Sequence, residues 1–177
     1  MFGLDKLEKV IAGWLKPLPH LPANGQKWIA TNVWWIVLVG VILSAIGVLV
    51  LVGGIFTYMA FVGNAASYYG VYASSVYNDG WIIGTIVSLL FAIATVIFAG
   101  MAISPLKAMQ KKGWSLLFVV LVLKALGVIL SAILSLNVLG FFVGIIFGAV
   151  GIAIGAYFLF EIHSYFGAAH KAVPVKK

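Results

Sequence analysis

The side chains that could carry acid–base or metal chemistry are few and are spread along the chain. The acids and histidines are Asp5, Glu8, Asp79, Glu161, His20, His163 and His170. On a helix, His163 and His170 would lie two turns, or about 10 Å, apart, which is too far for both to bind one ion. Glu161 and His163 are two positions apart and do not face each other, so a metal site would need His20 or a second chain.

Other catalytic groups are also missing from the sequence. The chain has no cysteine, which excludes thiolate ligands and cysteine nucleophiles. It has no recognisable phosphate-binding loop and no nucleophile triad. We therefore expect no metal site, no cofactor and no enzymatic activity.

Lys124 is the charged residue that lies well inside a long apolar run. A charge within a membrane span is costly and marks a candidate functional site. Three interpretations remain open: the side chain extends toward the lipid headgroups, it is neutral inside a packed bundle, or it lines a wet cavity that attracts anions or relays protons. If Lys124 lines a wet cavity, small polar residues on the spans would continue it as a polar path. The candidate path residues are Lys124, Ser131, Ser135, Ser44, Ser88 and Thr95. The alternative is that these hydroxyls bond to backbone carbonyls in a packed interior.

The composition predicts a membrane protein. Hydrophobic residues make up 64% of the chain and charged residues 8%, whereas a soluble domain carries about 25% charged residues. Four apolar runs, at about 33–55, 81–103, 114–135 and 139–160, each approach the roughly 20 residues that a spanning helix needs. Because backbone polar groups in lipid must be satisfied within the protein, these runs must be helices. The predicted fold is an all-α polytopic membrane protein with a bundle of four transmembrane helices.

The ends of the runs carry tryptophan and lysine. Tryptophan prefers the headgroup region, and the predicted interface anchors are Trp14, Trp34, Trp35, Trp81 and Trp114. Lysines precede the first run, separate the second from the third, and follow the fourth, while the other two connections have none. This asymmetry predicts that both termini are cytoplasmic in a cell (plasma or inner) membrane. The net charge of +7 comes from lysine without arginine, which argues against nucleic-acid binding.

Residues 1–22 form a distinct N-terminal region before the transmembrane domain of residues 23–177. Its apolar positions recur at helical spacing, at Leu4, Leu7, Ile11, Trp14 and Leu15. This pattern predicts an amphipathic helix that lies in the membrane interface or docks under the bundle, followed by a proline-stiffened connector to Pro22. Farther along, Ser104-Pro105 predicts a cap and the first residue of a short separate helix before Gly113.

Glycines on the fourth run lie on one narrow helix face. They are Gly140, Gly144, Gly148, Gly151 and Gly155. This spacing lets another helix approach closely, and that helix belongs either to the same chain or to a second copy in a homo-oligomer. The outer connection 56–80 is rich in tyrosine, at Tyr58, Tyr68, Tyr69, Tyr72 and Tyr77. It is either an aromatic belt or extended helix end, or a surface that binds a protein partner.

Three short segments resemble small four-span membrane proteins of bacteria that have no assigned activity. They are Asn32-Val33-Trp34-Trp35, Ile103-Ser104-Pro105-Leu106-Lys107 through Gly113-Trp114, and Glu161-Ile162-His163-Ser164-Tyr165-Phe166. The resemblance covers the spans and implies a fold but no activity. Our first hypothesis is a non-enzymatic, self-associating scaffold surrounded by membrane lipids. The alternatives are a small channel or transporter with a path past Lys124, and a membrane subunit of a larger complex.

Overall fold

The chain folds into helices that confirm the predicted all-α class. A computed structural model describes residues 4–69, 79–134 and 138–166, and no strand occurs within these ranges. The helices are α1 Leu4–Leu15, α2 Ala23–Tyr69, α3 Asp79–Lys107, α4 Lys111–Leu134 and α5 Val138–Glu161, and a 3-10 turn, His163–Tyr165, follows α5. Helices α2 to α5 are each long and apolar enough to cross a membrane.

The first spanning helix extends well beyond its apolar run. α2 has 47 residues and contains no proline. At 1.5 Å per residue it is about 70 Å long, more than twice the roughly 30 Å of a bilayer's hydrocarbon core. A helix that has started adds residues at little cost, so it continues to Tyr69 and includes the beginning of the tyrosine-rich connection. Residues 70–78, with Tyr72 and Tyr77, lie outside the described residues.

The connection between α3 and α4 corrects the prediction of a separate short helix at Ser104-Pro105. α3 runs through Pro105 and ends at Lys107, because a proline in the last turn removes only one helix hydrogen bond. The turn that follows is tight: the Gln110 N–H donates to the Pro105 carbonyl at 2.9 Å, and Met109 has a φ of 53°. Gly113 is required there, since a Cβ would lie 2.6 Å from the Leu106 nitrogen.

The spanning helices pack in chain order, α2 on α3, α3 on α4 and α4 on α5. A hydrophobic core lies near the lysine-rich end, which is the end that carries Lys107, Lys111 and Lys112. Its buried members are Ala30, Val33, Ala102, Leu106, Trp114, Phe118, Leu159, Ile162 and Phe166. The helices are thus held together most firmly at this end.

Trp114 belongs to this core, which corrects the prediction that its ring is a headgroup anchor. The residue is 1% exposed, its ring stacks on Phe118 with the centroids 5.6 Å apart, and its Nε1–H donates to the Leu159 carbonyl at 2.8 Å. The indole is stable there because its N–H has an acceptor inside the protein.

The other predicted anchors differ in their surroundings. Trp14 is 72% exposed and Trp35 is 40% exposed, so both rings are accessible from outside the protein. Trp34 is half-buried, and the Lys107 Nζ lies 5.2 Å from its ring centroid, a distance at which a cation–π attraction operates. The side chain of Trp81 lies outside what the structure describes.

The amphipathic helix α1 contacts the end of α5. Ile11 packs against the hydrophobic core, and the Glu8 Oε1 lies 3.5 Å from the His163 Nε2. Val10 and Trp14 remain exposed. α1 is therefore docked on the bundle through one part of its surface, and another apolar part is free to contact lipid.

Candidate functional site: a cleft between α2 and α5

A large cleft opens between α2 and α5, with α3 and α4 behind it. Its volume is about 1450 Å³. It exists because, in the described part of the chain, α2 and α5 come together only near the hydrophobic core at the lysine-rich end. Most of its lining is aliphatic or aromatic, as at Val37, Leu51, Phe147 and Ile152. The four spanning helices therefore form an open arrangement.

The glycines of α5 divide into two pairs. A Cβ at Gly148 would clash with the Val128 side chain, and one at Gly155 would lie 3.3 Å from the Leu121 Cδ1. These two glycines thus allow close packing of α5 on α4 of the same chain. All four glycines line the cleft, but a Cβ at Gly144 or Gly151 would have no atom within 4 Å. The surroundings of Gly140 lie outside the described part of the chain.

Two of the predicted path residues pair with each other between α3 and α4. The hydroxyls of Ser88 and Ser131 are 2.8 Å apart. The Ser88 hydroxyl is also 2.8 Å from the Gly84 carbonyl, and the Ser131 hydroxyl is 2.5 Å from the Gly127 carbonyl. The two hydroxyl protons serve two of these three contacts at a time. For these two residues the structure matches the interpretation that serine hydroxyls bond to backbone carbonyls, and to a neighbouring hydroxyl, in a packed interior.

Within the described residues, no hydrogen bond joins the remaining path residues to one another. Thr95 is 7% exposed, and both Thr95 and Ser44 line the same cleft as Lys124. Ser135 lies outside the described residues. The cleft therefore offers isolated polar groups on mainly apolar walls.

Lys124 lines the cleft with an exposed side chain. The interpretation that it is enclosed in a packed bundle therefore does not fit. No hydrogen bond or ion pair joins it to any residue in the ranges 4–69, 79–134 and 138–166. It lies 13 residues after Lys111 and 7 before Ser131, the two ends of the span-capable part of α4, or about 20 Å and about 10 Å along the helix. The site is thus a single cation inside the span-capable part of α4, in a mainly apolar cleft.

A cluster of polar contacts lies at the lysine-rich end, and none of its residues is part of the cleft lining. The Glu161 side chain is 5% exposed, and its Oε1 lies 2.6 Å from the His20 Nδ1. Its Oε2 accepts hydrogen bonds from the Leu21 N–H and the Gln26 Nε2, both at 2.9 Å. We call these four residues the Glu161 cluster. It ties the connector and the start of α2 to the end of α5.

Sequence reasoning named His20 and Glu161 but did not pair them. The available signal was a lone acid at the end of a span and a lone histidine in a stiff connector. Further bonds hold the same connector, since the Tyr157 hydroxyl donates to the Pro19 carbonyl at 2.6 Å. Within the described residues, no group of three or more histidine, cysteine or acidic side chains could hold a metal ion.

Comparison with protein-family models, curated proteins and solved structures finds no match to this chain.

Proposed function

We propose that this protein is a non-enzymatic membrane protein that binds a hydrophobic molecule in the cleft between α2 and α5, as a small carrier or transporter does. The observation that supports this is the cleft itself. Its volume of about 1450 Å³ exceeds the roughly 300–1,000 Å³ of a typical small-molecule pocket. Such a space inside a membrane is filled by lipid, by a guest molecule or by another helix.

The character of the walls favours a hydrophobic guest over a path for inorganic ions. An ion that leaves water needs a series of polar groups to replace its hydration shell. Here the Ser88 and Ser131 hydroxyls lie within hydrogen-bond distance of each other and of backbone carbonyls, and most of the remaining lining is apolar. An apolar chain gains from such walls, whereas a hydrated ion does not.

Binding of radiolabelled hexadecanol to the protein in phosphatidylcholine nanodiscs tests this function, with empty nanodiscs as the background. We expect binding above background, and we expect Gly151→Leu to weaken it several-fold because the new side chain enters the cleft. Gly53→Leu is the matched control. Gly53 is also an exposed glycine with no atom within 4 Å of a built Cβ, but it does not line the cleft.

Two results would refute the proposal. One is hexadecanol binding no greater than in empty nanodiscs. The other is an equal loss of binding in Gly151→Leu and Gly53→Leu, since the cleft would then have no special part in it.

Self-association is a second candidate, because Gly144 and Gly151 leave room on α5 for a helix of a second copy. It would make the protein the self-associating scaffold of our first hypothesis. The oligomeric state in mild detergent tests it. A native oligomer that Gly151→Leu dissociates and Gly53→Leu leaves intact would support this function, and a native monomer would refute it.

We also propose that the lysine-rich end is cytoplasmic in a cell membrane. The lysines at Lys107, Lys111 and Lys112 and those before α2 support this orientation through the positive-inside rule. Protease digestion of tags at each terminus, in right-side-out and inverted vesicles, tests it. Cleavage of either tag in right-side-out vesicles would refute it.

A further inference from the structure

We propose that the molecule bound in the cleft is an amphiphile with an acidic head group, and that this anion pairs with the Lys124 ammonium. The inference rests on the proposed function and names its class of ligand. Lys124 lines the cleft with an exposed side chain and has no partner among the described residues. A lysine charge in the hydrocarbon region is costly until a counter-charge or water reaches it.

The chain itself has no acid for this position. Its four acidic side chains lie on α1, at the first residue of α3 and at the last residue of α5, and they are Asp5, Glu8, Asp79 and Glu161. Glu161 is already bonded to three partners. A second copy of the chain, in either orientation across the bilayer, would therefore bring no side-chain carboxylate to the interior of the spans, where Lys124 lies. Charge complementarity favours an occupant that carries its own anion.

The walls around Lys124 specify the rest of the ligand. One turn to either side along α4, Leu121 and Val128 also line the cleft, and across it stand Phe147 and Ile152. A small inorganic anion needs several donors, whereas the cleft adds only the hydroxyls of Ser44 and Thr95 near the lysine's depth. A hydrocarbon chain covers the apolar walls and contributes to binding through apolar contacts. The head group then needs only one cation as its partner.

The length of the lysine side chain makes the pairing compatible with a lipid's normal position. A lysine can lay its methylene stem along an apolar wall while its ammonium approaches the headgroup layer. An acidic head group that lies between Lys124 and the headgroup layer can therefore pair with the Lys124 ammonium. The acyl chain then fills the cleft along Gly144 and Gly151. The same extended conformation of the Lys124 side chain then both reaches toward the headgroups and binds the ligand.

The test compares a charged and a neutral chain of equal length in phosphatidylcholine nanodiscs. Hexadecanesulfonate stays ionised at any working pH, and hexadecanol is its neutral partner. We expect the native protein to bind the sulfonate more tightly than the alcohol. Lys124→Gln should weaken sulfonate binding roughly tenfold or more, as expected for loss of a charged hydrogen bond, and leave alcohol binding unchanged. Lys111→Gln is the control, because Lys111 lies on the same helix outside the cleft.

The outcomes separate this inference from the function on which it rests. Equal binding of sulfonate and alcohol, or a sulfonate affinity unaffected by Lys124→Gln, overturns the inference and leaves the hydrophobic cleft intact. Displacement of the sulfonate by millimolar methanesulfonate, which has no long chain, also overturns it, because the site would then recognise a simple anion. If neither long-chain probe binds above empty nanodiscs, the proposed function fails with it.

Discussion

Replacing Glu161 by alanine should release the connector and the start of α2 from the end of α5. The carboxylate is nearly buried and lies within hydrogen-bond distance of His20, Leu21 and Gln26. These three partners differ in what they lose. His20 is 61% exposed and can turn to water, and the Gln26 amide keeps its second bond, to the Leu21 carbonyl at 3.0 Å. The Leu21 N–H loses its acceptor.

The magnitude follows from this difference. A part-buried N–H without an acceptor costs about 1–3 kcal/mol, and a hydrogen bond to a charged group contributes about 1.5–3 kcal/mol. Since water replaces part of both, we expect Glu161→Ala to destabilise the local closed state by about 2–4 kcal/mol. At 1.4 kcal/mol per factor of ten, this corresponds to roughly 30- to 700-fold faster exchange of the Leu21 amide through local opening.

Hydrogen exchange of a peptide that contains Leu21 measures this directly in mild detergent. Glu8→Ala is the matched control at the same end of the protein. The Glu8 carboxylate is 26% exposed and is 3.5 Å from His163, and such a pair contributes about 0–1 kcal/mol. Unchanged exchange at Leu21 in Glu161→Ala, or an equal effect of Glu8→Ala, would refute the reasoning that the buried carboxylate holds the connector.

Two further substitutions test the packing near the lysine-rich end. Gly113→Ala should lower the free energy of unfolding by about 1–2 kcal/mol, because overpacking against the Leu106 backbone exceeds the gain in helix propensity. Gly100→Ala should not lower the free energy of unfolding, because no atom lies within 4 Å of the new Cβ. Equal thermal stability of the two variants would contradict this prediction. Trp114→Phe should cost about 1–3 kcal/mol by leaving the Leu159 carbonyl without its indole donor, and an unchanged midpoint of thermal denaturation in detergent would count against that bond.

The spanning helices were predictable from sequence because lipid imposes one strong rule on every residue within it. Backbone groups must be paired locally, so four apolar runs become four helices. The ends of the helices were less predictable. The apolar run 33–55 shows where α2 is hydrophobic, but the helix continues to Tyr69 because nothing in the polar sequence stops it. Ser104-Pro105 resembles a helix start, yet the local hydrogen bonds of α3 tolerate a proline in the last turn.

The candidate site was harder to predict, because it depends on pairs of residues that are far apart in sequence. His20 and Glu161 are 141 positions apart, and no periodicity along one helix reports such a contact. The glycine face on α5 was visible as a pattern, but the pattern does not distinguish Gly148, which packs on Val128, from Gly151, which faces the cleft. A helix face specifies where close approach is allowed, and the neighbouring helix decides where it occurs.

The Glu161 cluster and Lys124 together explain why the cleft has its shape. At the lysine-rich end a buried carboxylate draws α2 and α5 together through polar bonds, and the hydrophobic core fills the space between them. Farther along α5, several lining positions are glycines, whose side chains are too small to reach α2. On α4, Lys124 occupies a lining position where an apolar residue could have helped to fill the gap. Closing the cleft from within would bury the lysine charge against apolar walls at a large desolvation cost. The same cation that would suit an acidic guest therefore also opposes collapse of the empty cleft.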